Sequence, residues 1–107
     1  MMKPNFELNE KVAVITGGGG ALGGCVAKSL SKSGVKIAIL DLTQEAANST
    51  VEEIQIEGGN AIGFAANVLS KESIENIADE IIKLWGRVDI LLNAAGGNMP
   101  GATIAVD

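Results

Sequence analysis

The chain predicts an α/β fold with a doubly wound parallel sheet, and three observations carry that expectation. Four short apolar runs recur along it: VAVIT at 12–16, KIAIL at 36–40, AIGFAA at 61–66 and DILLNAA at 89–95. Each is apolar at consecutive rather than alternate positions, the mark of strands covered on both faces by helices. Longer amphipathic segments separate the runs, and each ends on glycine, where a left-handed residue commonly closes a helix. No repeat, low-complexity stretch or interdomain linker interrupts this β-α-β-α-β-α-β order.

Taken in order, the first strand (12–16) runs straight into a glycine-rich turn and a helix over 21–33 that stops at Gly34. A second strand (36–40) leads to a helix over 44–57, closed by Gly58 and Gly59, and a third strand follows at 61–66. The third helix, 71–85, has the clearest pattern. Ile74, Ile77, Ala78, Ile81 and Trp85 recur at three- and four-residue spacing, Ser70 stands where a cap is wanted, and Gly86 ends the helix. The fourth strand, 89–95, is expected to lie beside the first and to leave an apolar edge open to self-pairing.

Composition narrows the classes of function. With 107 residues, 47% of them hydrophobic, the chain is one ordinary domain with enough apolar surface for a core. A net charge of -5 without any Lys/Arg cluster argues against nucleic acid and anionic membranes as partners. No apolar run approaches the roughly 18 residues of a membrane span, and MMKPNFELNEK lacks the apolar stretch of a secretion signal, so a cytoplasmic location is expected. The single Cys25 has no second Cys and no His to join it in a metal site. A small hydrophobe buried on the first helix is its expected role.

The turn after the first strand is the most informative feature. Six glycines occupy the nine positions from Thr16 to Gly24, although glycine inside a helix or strand costs about 0.5 to 1 kcal/mol relative to alanine. At a helix N-terminus the unpaired N–H groups and the dipole attract a phosphate, and glycine lets the backbone touch it. The expected cradle is Gly17, Gly19, Gly20, Ala21, Leu22 and Gly23. Gly18, Gly20 and Gly23 fit the dinucleotide fingerprint G-x-G-x-x-G. A P-loop is excluded, since Cys25 follows Gly24 where that motif requires Lys. Asp41, eighteen residues after Gly23, ends the second strand where a carboxylate can accept the hydroxyls of an adenosine ribose, with Leu42 beside it. It could instead serve as a turn or capping residue near the second helix. No Lys or Arg occurs from Leu42 through Ser70, so nothing evident would welcome a 2′-phosphate, and NAD is the expected cofactor. Asn93 ends the fourth strand and so falls with Thr16 at the point where strand order should reverse, though it could also satisfy local backbone groups.

These residues give the chain a resemblance to the short-chain dehydrogenase/reductase family from Lys11 onward. Its carriers are Thr16-Gly17 with Gly23, Asp41, Asn67-Val68, and Asn93-Ala94-Ala95-Gly96. Ala21 departs from the family's usual glycine, and Thr16 to Gly23 also fits the T-G-x-x-G-x-x-G pattern of the family's longer branch. GRVDILLNAAG at 86–96 is similar to the shorter branch instead. The resemblance implies a Rossmann-type fold, with Asn67 and Val68 beside the adenine and Asn93 to Gly96 supporting the sheet and the cofactor-side loop. Within the family, GGGGALGG and AAGGNMPGAT resemble the D-mannonate oxidoreductases, or fructuronate reductases, which implies a sugar-acid substrate; other sugar-acid dehydrogenases remain open. It further implies a homo-oligomer, and catalytic Ser and Tyr-x-x-x-Lys residues on later elements. The 107 residues contain no Tyr and no His, so residues 1–107 are expected to be the NAD-binding portion, with no catalytic residue among them. A dinucleotide-binding module without catalysis, working as a sensor or an interaction domain, is the alternative class.

Overall fold

A computed structural model describes residues 9–67, 69–94 and, for the backbone, 104–106. Eight elements follow one another: β1 (Val12–Thr16), α1 (Ala21–Lys32), β2 (Lys36–Asp41), α2 (Gln44–Ile56), β3 (Ala61–Ala65), α3 (Lys71–Trp85), β4 (Ile90–Asn93) and β5 (Ile104–Val106). They form one sheet in the order β3-β2-β1-β4-β5. The first four strands are parallel, with Val14 facing Ala38 on one side and Leu91 on the other. The chain winds outward from β1 to β3, then crosses back to place β4 on the other side. Strand order therefore reverses between β1 and β4, the position at which doubly wound sheets open a crevice beyond their carboxyl ends.

The consecutive apolar residues of the strands divide between the two faces. Ala13, Ile15, Ile37, Ile39 and Leu92 pack with Ala27 of α1 and with Ala47, Val51 and Ile54 of α2. Val12, Val14, Ala38 and Leu40 face the other way, onto Ile81, with Ile74, Ile77 and Trp85 of α3 around them. All five residues of β1 are buried, as its central place requires. Burying a Val, Leu or Ile side chain contributes about 1.5–3 kcal/mol, and the eight largest fully buried side chains are divided between these two faces.

Helix ends follow the expected punctuation. Gly34, Gly58 and Gly86 all have φ near +90°, a region costly for any residue with a Cβ. The helices α1 and α2 stop one residue earlier than the pattern predicts, at Lys32 and Ile56, because Ser33 and Glu57 have already left helical geometry. Ser70 caps α3 by accepting the N–H of Ser73 at 3.2 Å.

Two expectations are corrected. Cys25 is exposed rather than buried: α1 turns Gly23, Gly24 and Ala27 inward, and residue 25 falls on the outer side of that stripe. The outer side of β4 is not an open edge, because β5 pairs with it antiparallel, Leu91 facing Ala105.

Candidate dinucleotide site

The glycine turn is held in shape by its own backbone. The ladder between β1 and β2 extends one step into it, the Gly17 N–H donating to the Leu40 carbonyl at 2.7 Å, and Gly17 then adopts φ +72°. The Gly20 N–H donates back to the Gly17 carbonyl at 3.1 Å, and Gly20 becomes the N-cap of α1. Being glycine it offers no capping side chain, and the first turn of α1 has no acidic residue. The contrast with α2, capped by Thr43, and α3, capped by Ser70, is direct. The N-terminus of α1 thus opens at the reversal point with its positive end available to an anion.

Steric contacts explain most of the glycines. A Cβ on Gly23 would strike the Gly17 carbonyl oxygen and come within 2.8 Å of the Gly18 Cα, so α1 can rest on the turn only if position 23 has no side chain. A Cβ on Gly18 would lie 2.8 Å from Ile39 Cγ2. On Gly19 it would meet the Ala46 carbonyl and, at 2.7 Å, Asp41 Oδ2. Gly20 differs, its nearest contact being 3.5 Å away. Ala21, the first residue of α1, and Leu22 are exposed, so the Ala21 methyl fills no core space.

Asp41 reaches this turn from the end of β2. Its Oδ2 accepts the Gly19 N–H at 2.9 Å and its Oδ1 accepts the Leu42 N–H at 2.8 Å. Asp41 thus shapes the glycine turn, while the capping position of α2 is taken by Thr43, and each Asp41 carboxylate oxygen keeps acceptor capacity for a further donor. Leu42 beside it is exposed. At the reversal point the Thr16 hydroxyl donates to Asn93 Oδ1 at 2.8 Å, tying β1 to β4 across a directly opposed pair. The Ala94 N–H donates to the Thr16 carbonyl at 3.0 Å, continuing that ladder. Asn67 lies on an exposed turn and its Oδ1 accepts the Leu69 N–H at 2.9 Å, an Asx turn leading into α3. Val68, Ala95 and Gly96 lie outside the described residues.

Two contributors were not singled out from the sequence. Thr50, buried on α2, donates its hydroxyl to the Gly18 carbonyl at 2.7 Å. Its signal was a hydroxyl within the otherwise apolar stripe Ala47, Thr50, Val51 and Ile54. Asp89, also buried, accepts the Val12 N–H at 2.9 Å and a two-pronged contact from Arg87. Hydrogen bonding from Arg87 holds its carboxyl below the usual range against the opposing effect of burial. That clamp fixes the start of β1 against β4 and so contributes to the alignment of Thr16 with Asn93.

A groove of about 460 Å³ runs between α1 and α2 from Gly19 and Gly20 past Cys25 to Glu57. The Lys28–Glu53 ion pair, at 2.7 Å, spans it. It borders the glycine turn but follows the flank of the helices, whereas the helix dipole and the strand ends converge on the crevice. Chemistry and topology favour the crevice. Among the described residues there is no cluster of His, Cys, Asp and Glu suited to a metal ion, and no helix long and apolar enough to cross a membrane.

Comparison with known proteins agrees with this geometry. Residues 11–107 match the short chain dehydrogenase family model. The chain is 44% identical over 107 residues to the uncharacterised oxidoreductase UxuB of Bacillus subtilis, covering all of this chain and 38% of that protein. It is 38% identical over 96 residues to 7alpha-hydroxysteroid dehydrogenase of Escherichia coli, covering 90% of this chain and 38% of the enzyme. Among solved structures, a candidate D-mannonate oxidoreductase from Haemophilus influenzae with bound NAD superimposes with a TM-score of 0.80 at 43% identity, over 87% of this chain and 33% of that one. A metagenomic short-chain oxidoreductase in complex with NADP gives 0.74 at 26% identity, over 78% and 38%. The chain thus spans well under half the length of these relatives. With the glycine turn, the reversal point and the family match in agreement, the chain belongs to the short-chain dehydrogenase family.

Proposed function

We propose that residues 1–107 are the NAD-binding portion of an oxidoreductase that interconverts an alcohol and a ketone on a sugar acid, with D-mannonate and D-fructuronate as the first pair to test. The observation that carries the cofactor reading is the uncapped N-terminus of α1, opening at the strand reversal with the Asp41 carboxylate anchored on its glycine turn. The residues fit a dinucleotide, since the turn on which α1 rests through a side-chain-free position 23 stands within one hydrogen bond of an acid suited to a ribose. Gly17, Gly19, Gly20, Ala21, Leu22 and Gly23 would hold the pyrophosphate through backbone N–H groups. Asp41 would accept ribose hydroxyls with Leu42 against the adenosine, and Asn67 and Val68 would flank the adenine. Asn93, Ala94, Ala95 and Gly96 would support the sheet and the cofactor-side loop. When bound, NAD supplies the hydride acceptor or donor.

Preference for NAD over NADP rests on Asp41, which would repel a 2′-phosphate, and on the lack of any Lys or Arg from Leu42 through Ser70. The sugar-acid assignment is supported by similarity to the Haemophilus influenzae protein. None of the 107 residues is assigned a catalytic role. The complete protein would be a cytoplasmic homo-oligomer acting on a small molecule, with neither nucleic acid nor membrane as a partner. Calorimetric titration with NAD and NADP, alongside NADH absorbance with a panel of sugar acids, tests the reading. Binding of NAD and turnover of D-mannonate are expected; no binding of either dinucleotide would overturn the cofactor reading, and turnover only of other alcohols would overturn the substrate.

A further inference from the structure

The Thr50 and Asp41 contacts meet on one peptide group. The carbonyl of Gly18 and the N–H of Gly19 belong to the same peptide plane: the first accepts the Thr50 hydroxyl at 2.7 Å, and the second donates to Asp41 Oδ2 at 2.9 Å. With glycine on both sides, as at its neighbours Gly17–Gly18 and Gly19–Gly20, no side chain restrains this peptide from rotating. Rotation by half a turn would aim the Gly18 carbonyl at the Asp41 carboxylate, oxygen against oxygen. The Thr50 hydroxyl could then only accept, where it now donates. Thr50 is buried on α2 beside Gly24, whose Cβ would stand 3.2 Å from its Oγ1, so hydroxyl and turn are packed together.

We propose that Thr50 is a positioning residue for the dinucleotide site: with Asp41 it clamps the two ends of the Gly18–Gly19 peptide and so holds that carboxylate and the turn in their cofactor-binding orientation. Thr50 acts through the peptide and makes no contact with the cofactor itself. The proposal rests on the reading of this turn as an NAD cradle. It gives a buried hydroxyl in an apolar helix stripe a role beyond packing.

The test is calorimetric titration of the complete protein with NAD and NADP, for the parent and for Thr50→Val, Thr50→Ser, Asp41→Ala and the Asp41→Ala/Thr50→Val pair, with folding checked by circular dichroism. Valine keeps the shape and removes the donor, leaving a buried carbonyl unpaired, so NAD should weaken about five- to twentyfold. Serine keeps the donor, and affinity should stay within about twofold of the parent. Because the two side chains act on one peptide, adding Thr50→Val to Asp41→Ala should cost less than about twofold more. Parental affinity in folded Thr50→Val, a loss in Thr50→Ser as large as in Thr50→Val, or fully additive losses in the pair would each overturn the clamp. If valine at 50 prevents folding, Thr50→Ala, which removes the same donor without a branched side chain, takes its place: a loss of affinity that Thr50→Ser does not show is expected, and parental affinity in folded Thr50→Ala would overturn the clamp. A parent that binds neither dinucleotide would instead overturn the cofactor reading, and the clamp with it.

Discussion

Replacing Gly23 with valine tests whether the glycines serve the cofactor or only the packing of α1. The atoms a Cβ would meet at position 23 are all backbone: the Gly17 carbonyl oxygen and carbon, the latter at 3.0 Å, and the Gly18 Cα at 2.8 Å. No rotamer change can relieve such contacts, so α1 must lift from the turn. Overpacking of this kind costs about 1–3 kcal/mol, while removing a glycine from a helix returns up to about 1 kcal/mol. The expected net loss is therefore about 0–3 kcal/mol, less than the roughly 5–15 kcal/mol by which a domain is stable, so the protein should remain folded. The same displacement pulls the N–H groups of the α1 terminus away from Gly17 and Gly18, so NAD affinity should fall at least about a hundredfold, the equivalent of about 2.8 kcal/mol. Gly20→Ala is the control for stability, because its nearest contact is 3.5 Å away and its φ of -85° suits any residue; it should shift stability by less than about 1 kcal/mol. Circular dichroism melting gives the first quantity and calorimetric titration with NAD the second. Parental NAD affinity in a folded Gly23→Val protein would refute the reasoning and leave the glycines a packing role alone.

Three further outcomes are expected. Asp41→Ala removes an acceptor for ribose hydroxyls together with the partner of the Gly19 N–H, so NAD should weaken roughly ten- to a hundredfold and lose part of its advantage over NADP; equal NAD affinity by calorimetry would remove Asp41 from the site. Asp89, held below the ordinary carboxyl range chiefly by Arg87, should contribute stability that is fully present above the unfolded-state pKa of about 3.9 and is lost as pH falls through its lower folded value. Asp89→Asn should therefore destabilise at neutral pH by about 1–3 kcal/mol and flatten the acid limb of the stability profile measured by urea unfolding; an unchanged acid limb would mean that other groups set it. A 107-residue protein of this sequence should give no NADH signal with D-mannonate, since a general base must take the hydroxyl proton and the chain contains neither His nor Tyr; turnover near that of the complete protein would place a base among these residues.

Much of the fold was legible because the strands are buried on both faces. Residues such as Val12 and Ala13 point in opposite directions yet both meet helices, and that requirement writes itself as unbroken apolar runs. Helix ends were legible for a related reason, since φ near +90° at residues 34, 58 and 86 leaves little choice but glycine. The burial of Cys25 was misjudged because the inward stripe of α1 is built from glycine and alanine, which give a hydrophobicity pattern almost no amplitude. The pairing of β4 with β5 depends on a contact between segments joined through residues 94–103, which no local pattern encodes. Within the site, the glycines and Asp41 carried a fingerprint of type and spacing. Thr50 did not, because its significance comes from a contact with Gly18, 32 residues away in the chain, that exists only once α2 lies against the turn.

The most direct test of the account is a crystal structure of the complete protein with NAD. The account predicts the pyrophosphate against the N–H groups between Gly17 and Gly23, and the adenosine ribose hydroxyls on Asp41 while that carboxylate still accepts from Gly19. A dinucleotide seated instead in the groove between α1 and α2, or bound with Asp41 turned away from the ribose, would contradict it.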